Sequence, residues 1–177
     1  MRVFFALWPD PSTRARIAAV AAALPASAGV TLVPRENYHM TLAFVGEIAM
    51  SGLAVLQQIG RVQRAAGCTI EIDAYAYWGE AKVLVAVARQ TPGALMELSA
   101  QLHGALAAHH AAPPLRPHVT LARKVAQAPV LQAMSPFSWR AMSFSLVSSN
   151  TSGAHSVYTV VDSWPLLDET PKPQKSL

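Results

Sequence analysis

The chain of 177 residues contains a single cysteine, Cys68, and this scarcity excludes several classes of protein. One cysteine can form neither an internal disulfide framework nor a cysteine-based zinc cluster. Cys68 opens an apolar stretch and is interpreted as a small buried hydrophobe rather than as a nucleophile. A chain without disulfides fits a reducing compartment, so we expect a cytoplasmic protein.

Long apolar runs are also absent from the sequence. No segment reaches the roughly 18 to 20 apolar residues that a membrane-spanning helix requires, so we expect no membrane partner. Residues 14–28 have the basic residues, the short apolar run and the small residues of a signal peptide. The preceding Asp10 and Pro11 fit a strand end and a helix start better, and we therefore predict a helix there.

Charge is sparse, because charged residues make up only 14% of the chain and the 14 lysines and arginines form no conspicuous run. The formal net charge of +4 nevertheless suits an anionic partner. Hydrophobic residues reach 52%, which allows one sizeable core. We predict a single domain over residues 1–167, a flexible C-terminal tail over residues 168–177, and a monomer.

A five-residue pattern, His-x-Thr-Leu-Ala, occurs twice, and its two histidines, His39 and His118, lie 79 positions apart (118 − 39). Each copy follows the same predicted sequence of a strand, a helix that begins with proline, and the strand of the motif itself. The helix prolines, Pro11 and Pro92, precede their histidines by 28 (39 − 11) and 26 (118 − 92) residues. A motif that repeats together with its preceding architecture indicates a duplicated unit.

The remaining segments complete the fold prediction. Apolar periodicity predicts a helix near 51–65, and Leu95, Leu98, Leu102 and Leu106 mark the helix after Pro92. We predict one half-buried strand over 69–78, one over 137–149 and one over 155–164. The fold class is therefore α+β, with two pseudo-symmetric lobes that each contain a mainly antiparallel β-sheet with helices on one side, and an active-site cleft between them.

The side chains of each motif suit phosphoryl chemistry. Residues i and i+2 of a strand share a face, so His39 emerges beside Thr41 and His118 beside Thr120. Two imidazoles across a cleft can serve as base and acid for an in-line attack of water on a phosphate, while the two hydroxyls bind its non-bridging oxygens. The motifs contain no carboxylate, so we expect no metal ion.

Several residues near the motifs allow two interpretations. Phe44 and Arg123 both follow their histidine by five positions, and they are either a core ring and a solvated cation or a base-stacking ring and a phosphate-binding guanidinium. Arg35 and Arg116 lie just before the motifs. The other histidines are interpreted as structural or exposed rather than as metal ligands: His103, His109, His110 and His155.

The chain resembles the 2H phosphoesterase superfamily, and within it the RNA 2′,3′-cyclic phosphodiesterases, also called 2′-5′ RNA ligases. The likeness spans about residues 2–166 and is carried by "RVFFALWPD", "NYHMTLAFVGE", "RPHVTLARK" and "Y…WPL". The resemblance implies hydrolysis of an RNA-terminal 2′,3′-cyclic phosphate to a 2′-phosphomonoester without a metal ion, nucleotide or other cofactor, and possible reverse 2′-5′ ligation. It also implies that His39 is the proton donor and His118 the proton acceptor, and that Thr41 and Thr120 hold the phosphate.

Two other functions remain open at this point. One is a phosphodiesterase acting on small cyclic nucleotides such as ADP-ribose 1″,2″-cyclic phosphate, because a cleft with one stacking aromatic accepts either a dinucleotide or an RNA end. The other is a non-catalytic RNA-binding protein on the same scaffold, against which both intact motifs argue. The predicted partners are accordingly RNA ends or small cyclic nucleotides.

Overall fold

The computed structural model describes residues 1–25, 30–106, 115–150 and 156–168. Three α-helices and ten β-strands form the described fold: β1 (Arg2–Leu7), α1 (Pro11–Ala22), β2 (Thr31–Leu32), β3 (Met40–Glu47), α2 (Leu53–Val62), β4 (Cys68–Ile72), β5 (Ala74–Trp78), β6 (Val83–Val87), α3 (Gly93–Leu106), β7 (His118–Arg123), β8 (Phe137–Ala141), β9 (Ser143–Asn150) and β10 (Val157–Pro165). Among the described residues, no helix is long and apolar enough to cross a membrane.

The strands form two four-stranded sheets, one in each lobe, and a separate two-stranded sheet. The first lobe has the order β10-β9-β1-β3 and the second has the order β2-β7-β6-β5, while β4 pairs with β8. All pairs within these sheets are antiparallel. The prediction of an α+β fold with two mainly antiparallel lobes is therefore confirmed.

The predicted duplication is visible as two units with the same connection, β1-α1-β3 and β6-α3-β7. In both units the first strand pairs antiparallel with the motif strand. The helices exchange sides, because α1 packs against β7 and α3 packs against β3. One buried cluster consequently contains residues of both lobes, including Phe5, Leu42, Val119 and Leu121.

The first helix begins as its sequence predicts. The Asp10 carboxylate accepts hydrogen bonds from the backbone N–H groups of Ser12 and Thr13, at 2.7 and 3.0 Å, and Pro11 occupies the first turn. These bonds hold the pKa of Asp10 well below its usual value, because they stabilise the charged carboxylate. Residues 14–22 therefore lie in a capped helix, as predicted for the region that resembles a signal peptide.

Both motif strands contain a β-bulge at the same motif position. Phe5 pairs with Ala43 and Ala6 with Thr41, so Leu42 has no partner on β1. Leu121 is skipped in the same way, between Thr120 and Ala122. Because a bulge inserts an extra residue, the leucine and the following alanine are both buried in each motif. The repeat of Leu-Ala after His-x-Thr thus encodes a repeated kink beside the functional pair.

The carbonyl oxygens of the two bulge leucines are satisfied from outside the strand pair. Leu121 accepts a hydrogen bond from the backbone N–H of Val33 at 2.9 Å. Leu42 accepts one from the hydroxyl of Ser99 on α3, also at 2.9 Å, and that bond is buried. Ser99 therefore joins the helix of one unit to the motif strand of the other.

Substitution of Ser99 should measurably destabilise the fold. Ser99→Ala leaves the buried carbonyl of Leu42 without a donor, which should lower the free energy of unfolding by about 1 to 3 kcal/mol in urea denaturation. The matched control is Ser135→Ala, at an exposed serine outside the regular elements, with an expected change within about 0.5 kcal/mol. Equal stability of the two variants would contradict this role of Ser99.

Two segments that were each predicted as one continuous strand are divided into two strands in the structure, so this part of the prediction is wrong. The segment 69–78 divides at Asp73 into β4 and β5, which belong to different sheets. Asp73 lies beside Val87 and Arg89, since its N–H bonds to the Val87 carbonyl and its carboxylate accepts the Arg89 N–H. The segment 137–149 divides at Met142, whose carbonyl accepts the N–H of Leu166. In both cases hydrogen bonds to distant segments replace continuation of one ladder.

Other boundaries differ only slightly from the predictions. The helix near 51–65 is a short 3₁₀ turn followed by α2, and β3 begins at Met40, directly after His39. The strand predicted for 155–164 is β10, although His155 itself lies outside the described residues. Of the predicted tail only Asp168 is described, and its carboxylate pairs with Arg140 at 2.8 Å. Residues 169–177 lie outside the described part of the chain.

Candidate active site

A cleft of about 750 Å³ lies between the two lobes and brings both motifs together. His39, Thr41, His118 and Thr120 all line this cleft, so the sharing of a face by residues i and i+2 is seen in each motif. Three arginines line it as well, whereas no aspartate or glutamate is among its described lining residues. The cleft therefore presents a positively charged wall around two imidazoles and two hydroxyls, an arrangement that suits an anionic ligand.

Both catalytic candidates are oriented in the same way. The Nδ1 atom of His39 lies 2.7 Å from the carbonyl oxygen of Asn37, and that of His118 lies 2.6 Å from the carbonyl oxygen of Arg116. A carbonyl oxygen can only accept, so Nδ1 carries the proton in each ring. The other ring nitrogen, Nε2, is left to exchange a proton with a bound ligand in both lobes.

The residue two positions before each histidine is itself held in place. The Asn37 amide donates from Nδ2 to the carbonyl of Ser156 at 2.7 Å, which ties it to the beginning of β10. In the other lobe the guanidinium of Arg116 lies over the Trp78 ring at 4.5 Å. Each orienting carbonyl is thus fixed by a contact of its own side chain, and we interpret these residues as positioning residues for the imidazoles.

The surroundings of the two imidazoles differ. His39 contacts three aromatic rings, with ring-centroid distances of 5.0 Å to Phe4, 5.8 Å to Trp8 and 5.1 Å to Tyr158. His118 contacts Trp78 alone among the aromatic residues described, at 4.4 Å. The lobes are therefore alike in backbone arrangement but not in the side chains that enclose each ring.

Burial disfavours the protonated, charged form of both imidazoles. It lowers the pKa of His39 to about 4, with smaller contributions in the same direction from His118 and Arg123, while the hydrogen bond to Asn37 opposes the shift. Burial also lowers the pKa of His118, assisted by Arg116 and Arg123 and opposed by the bond to the Arg116 carbonyl. Both rings are consequently neutral near pH 7 in the ligand-free protein, and a bound anion would favour protonation.

The structure shows which of the residues near the motifs line the cleft and which do not. Arg123 is exposed at the end of β7, lines the cleft and acts electrostatically on both imidazoles. Phe44 lines the same cleft and is 49% exposed, which contradicts its alternative interpretation as a core residue. Arg116 also lines the cleft, whereas Arg35 is not one of its described lining residues. The clustering around the cleft therefore includes Phe44, Arg116 and Arg123.

Several cleft residues were not singled out from the sequence. Arg2 lies over the Phe44 ring at 5.0 Å, and Trp78, Tyr158 and Phe4 reach the site from strands distant in sequence. His103 lies on α3 as predicted and additionally lines the cleft. The described residues contain no group of three or more side chains able to hold a metal ion, and His109 and His110 lie outside them.

Comparison with known proteins decides the family. The sequence profile of the 2′-5′ RNA ligase superfamily matches residues 9–152, a range that includes both His-x-Thr motifs. This chain belongs to that superfamily. The match covers most of the chain and confirms the resemblance found from the motifs.

Individual proteins are similar to this chain in sequence and in fold. An Escherichia coli K12 protein named RNA 2′,3′-cyclic phosphodiesterase is 29% identical over 139 residues, which cover 76% of this chain and 78% of that protein. The crystal structure of E. coli LigT complexed with NADP+ matches with a TM-score of 0.84 and 26% identity, covering 94% of this chain and 97% of the other. The crystal structure of TT0787 from Thermus thermophilus matches with a TM-score of 0.84 and 26% identity, covering 96% of this chain and 100% of the other.

Proposed function

We propose that this protein hydrolyses the 2′,3′-cyclic phosphate at an RNA end to a 2′-phosphomonoester, without a metal ion or nucleotide cofactor, in the cytoplasm. The observation that carries the proposal is the pairing, in one arginine-lined cleft, of two imidazoles that both keep Nε2 available. The name of the E. coli relative supports the reaction, and E. coli LigT has been crystallised with 3′-AMP and with phosphate. The described residues of the cleft wall include no carboxylate, which supports chemistry that does not depend on a divalent cation.

The proposed reaction is an in-line displacement at phosphorus. Nε2 of neutral His118 takes a proton from water, the water oxygen bonds to phosphorus, and the bond from phosphorus to the 3′-oxygen breaks. Nε2 of protonated His39 gives its proton to that leaving oxygen. The negative substrate and the aromatic faces around His39 favour its imidazolium once the phosphate is bound, although burial holds its pKa at about 4 beforehand. The reverse joining of ends by a 2′-5′ bond uses the same groups.

The phosphate oxygens have three proposed ligands. The hydroxyls of Thr41 and Thr120 come from the two sides of the cleft and donate to the non-bridging oxygens. The guanidinium of Arg123 lines the same cleft and its positive charge acts on both histidines, so we assign it as the third ligand of the phosphate. Such preorganised donors stabilise charge that develops on the phosphate in the transition state.

The nucleoside that carries the cyclic phosphate is proposed to lie on the first lobe. Its 3′-oxygen must reach His39, and the exposed ring of Phe44 lies in the same lobe, stacked on Phe4 at 5.9 Å with the planes within 10°. An exposed aromatic face at a cleft is a common platform for an unpaired base. Phe44 is therefore assigned to base stacking in this proposal.

The pH dependence should distinguish the free protein from the substrate complex. One histidine must be charged and the other neutral, so kcat/KM should be bell-shaped, with two pKa values that belong to the coupled pair. Both histidine pKa values are lowered, so the decline on the alkaline side of kcat/KM should begin below the ordinary histidine value of about 6.5.

The corresponding decline of kcat should lie at higher pH, because the bound phosphate stabilises the imidazolium. Both profiles come from hydrolysis of adenosine 2′,3′-cyclic phosphate, measured between about pH 3 and pH 9. A rate that rises without a maximum to the alkaline end of this range would contradict a charged general acid.

Substrate length should distinguish an RNA end from a small nucleotide. Arg2 lies beside Phe44, where the chain upstream of the terminal nucleoside would continue. We expect a lower KM for an oligonucleotide ending in a cyclic phosphate than for the cyclic mononucleotide. This gap between the two KM values should narrow as the salt concentration rises. Arg2→Ala should narrow the same gap, whereas Arg61→Ala, at an exposed arginine of α2, should leave it unchanged.

The alternatives correspond to other outcomes of the same assay. Equal KM values for the two substrates at low salt would favour a phosphodiesterase for small cyclic nucleotides. Binding of the oligonucleotide with no turnover of either substrate would favour a non-catalytic RNA-binding protein. Either result would contradict the proposed substrate class.

A further inference from the structure

Trp8 is the aromatic neighbour of His39 that lies most nearly parallel to the imidazole. The planes of the two rings are within 15° of each other at a centroid distance of 5.8 Å, whereas Phe4 is tilted by 38° and Tyr158 meets the imidazole edge-on, at 83°. Trp8 directly follows the last residue of β1 and is half-buried. Of the three rings around His39, Trp8 is therefore the one that stacks on the imidazole.

Trp8 contacts His39 without being one of the described residues that line the cleft. Phe4 and Tyr158 both line it, so a bound nucleotide can reach them directly. Trp8 packs instead against a small buried cluster that contains Phe4 and Ala6. A substitution of Trp8 should consequently influence a bound substrate through His39 rather than through a contact of its own.

The second lobe has a different residue at the matching position. In the ladder of β6 and β7, Val87 is paired with His118. In the ladder of β1 and β3, the last pair is Leu7 with Met40, so Trp8 takes the next place, opposite the first motif histidine. Residues that are opposite each other in an antiparallel ladder contact each other on one face of the sheet. An indole thus accompanies one catalytic candidate and an isopropyl group the other.

The hydrogen bond of His39 does not by itself fix the orientation of its ring. The contact between Nδ1 and the Asn37 carbonyl holds one atom, and the imidazole can still turn about the line of that bond. A stacked indole opposes this rotation, because the imidazole would have to abandon the contact or collide with Trp8. The direction in which Nε2 points therefore depends on the stacking as well as on the hydrogen bond.

Building on the proposed function, we propose that Trp8 is a positioning residue for His39, whose stacked indole fixes the plane of the imidazole so that Nε2 points at the leaving 3′-oxygen. The same contact shields the imidazole from water. In the second lobe the ring that contacts His118 is Trp78, which lines the cleft and is tilted by 59°. Among the described residues, Trp8 therefore has no counterpart outside the cleft in that lobe.

The test gives the first lobe the residue that the second lobe has. In Trp8→Val the imidazole can turn, so kcat for adenosine 2′,3′-cyclic phosphate should fall about tenfold, since a small misplacement of a reacting group can cost up to about 10²-fold. KM should stay within about twofold, because the lost contact serves the transition state and not substrate binding. Trp8→Phe keeps a flat ring at this position and should recover most of the rate.

The pH profile separates positioning of His39 from a general loss of structure. Burial is the largest cause of the lowered pKa of His39, and Trp8 contributes to that burial. The charged and titratable groups that act on or contact His39 are His118, Arg123 and Tyr158, and none of them is changed in these variants. Water admitted beside the smaller valine should raise the pKa of His39. The kcat/KM profile should then move by about one pH unit to higher pH in Trp8→Val, and much less in Trp8→Phe.

The matched control removes another indole from the first lobe. Trp164 contacts Phe5 and Phe144 at centroid distances of 6.1 and 5.3 Å and packs against the main buried cluster. Trp164→Phe should therefore lower the Tm while kcat and the pH profile of kcat/KM stay those of the wild-type chain.

Three results would overturn the role of Trp8. The first is a Trp8→Val variant with the kcat and pH profile of the wild type. The second is a lower kcat with an unshifted profile and no recovery in Trp8→Phe, because that loss would be structural. The third is a raised KM with unchanged kcat, which would place Trp8 against the substrate. A wild-type chain that does not hydrolyse the cyclic phosphate would overturn the proposed function itself, so an active wild type distinguishes the two failures.

Discussion

Replacement of either His39 or His118 by alanine should lower kcat for the cyclic phosphate by about 10² to 10⁴-fold, the usual contribution of a positioned acid or base. The two rings act in one transition state, each with Nδ1 bound to a backbone carbonyl and Nε2 available to the ligand. The double variant should therefore be little worse than either single variant, because groups that act as a unit are not additive.

Controls for the histidine variants separate chemistry from folding. Far-ultraviolet circular dichroism and thermal unfolding should show that each single variant keeps the fold. The matched substitution is His103→Ala, at another histidine of the cleft wall to which the mechanism assigns no role, and we expect it to change kcat by less than about tenfold. Near-normal turnover after the loss of either His39 or His118 would contradict the two-histidine reaction.

Replacement of Arg123 by alanine should have the second largest effect. Among the described arginines, its guanidinium is the one whose charge lowers the pKa of both His39 and His118. Its loss should lower kcat/KM by about 10² to 10³-fold, as for other charge-stabilising donors. The same loss should move the kcat/KM profile to higher pH, because the substitution removes a cause that lowers both pKa values.

The shift in pH distinguishes an electrostatic role for Arg123 from a structural one. Arg123→Lys keeps the charge, so it should retain the original pH profile and recover part of the rate, although lysine lacks the planar fork of arginine. Arg61→Ala serves as the matched control for removal of a surface arginine. A slow Arg123→Ala variant with an unshifted pH profile would contradict an electrostatic role of Arg123 on the two histidines.

The motif residues could be predicted because their arrangement is local. A strand places residues i and i+2 on one face wherever the strand lies. The pairing of His39 with Thr41 and of His118 with Thr120 could therefore be predicted from the strand assignment alone. The duplication then predicted two lobes and a shared cleft. Even the repeated leucine and alanine have a local cause, the bulge, which the sequence alone did not reveal.

The remaining cleft residues could not be predicted because their contacts are formed between distant segments. Arg2 meets the first motif only after β1 pairs with β3, and Tyr158 meets it only after β10 joins the same sheet through β9 and β1. Trp78 reaches His118 because β5 and β7 both flank β6. Likewise, the predicted strands divide at Asp73 and Met142 because of hydrogen bonds to distant residues. Asp73 bonds to Val87 and Arg89, and Met142 bonds to Leu166. No periodicity along one segment contains that information.

The most direct test of the central claim is the identity of the product formed in ¹⁸O-labelled water with an excess of a metal chelator. An oligonucleotide ending in a 2′,3′-cyclic phosphate is incubated with the protein, and mass spectrometry and nuclease mapping determine the product. We predict a terminal 2′-phosphomonoester that contains one ¹⁸O atom, formed by the wild-type chain and not by His39→Ala or His118→Ala. A 3′-phosphate product, or activity that disappears with the chelator and returns with a divalent ion, would contradict metal-independent release of the 3′-oxygen by the two histidines.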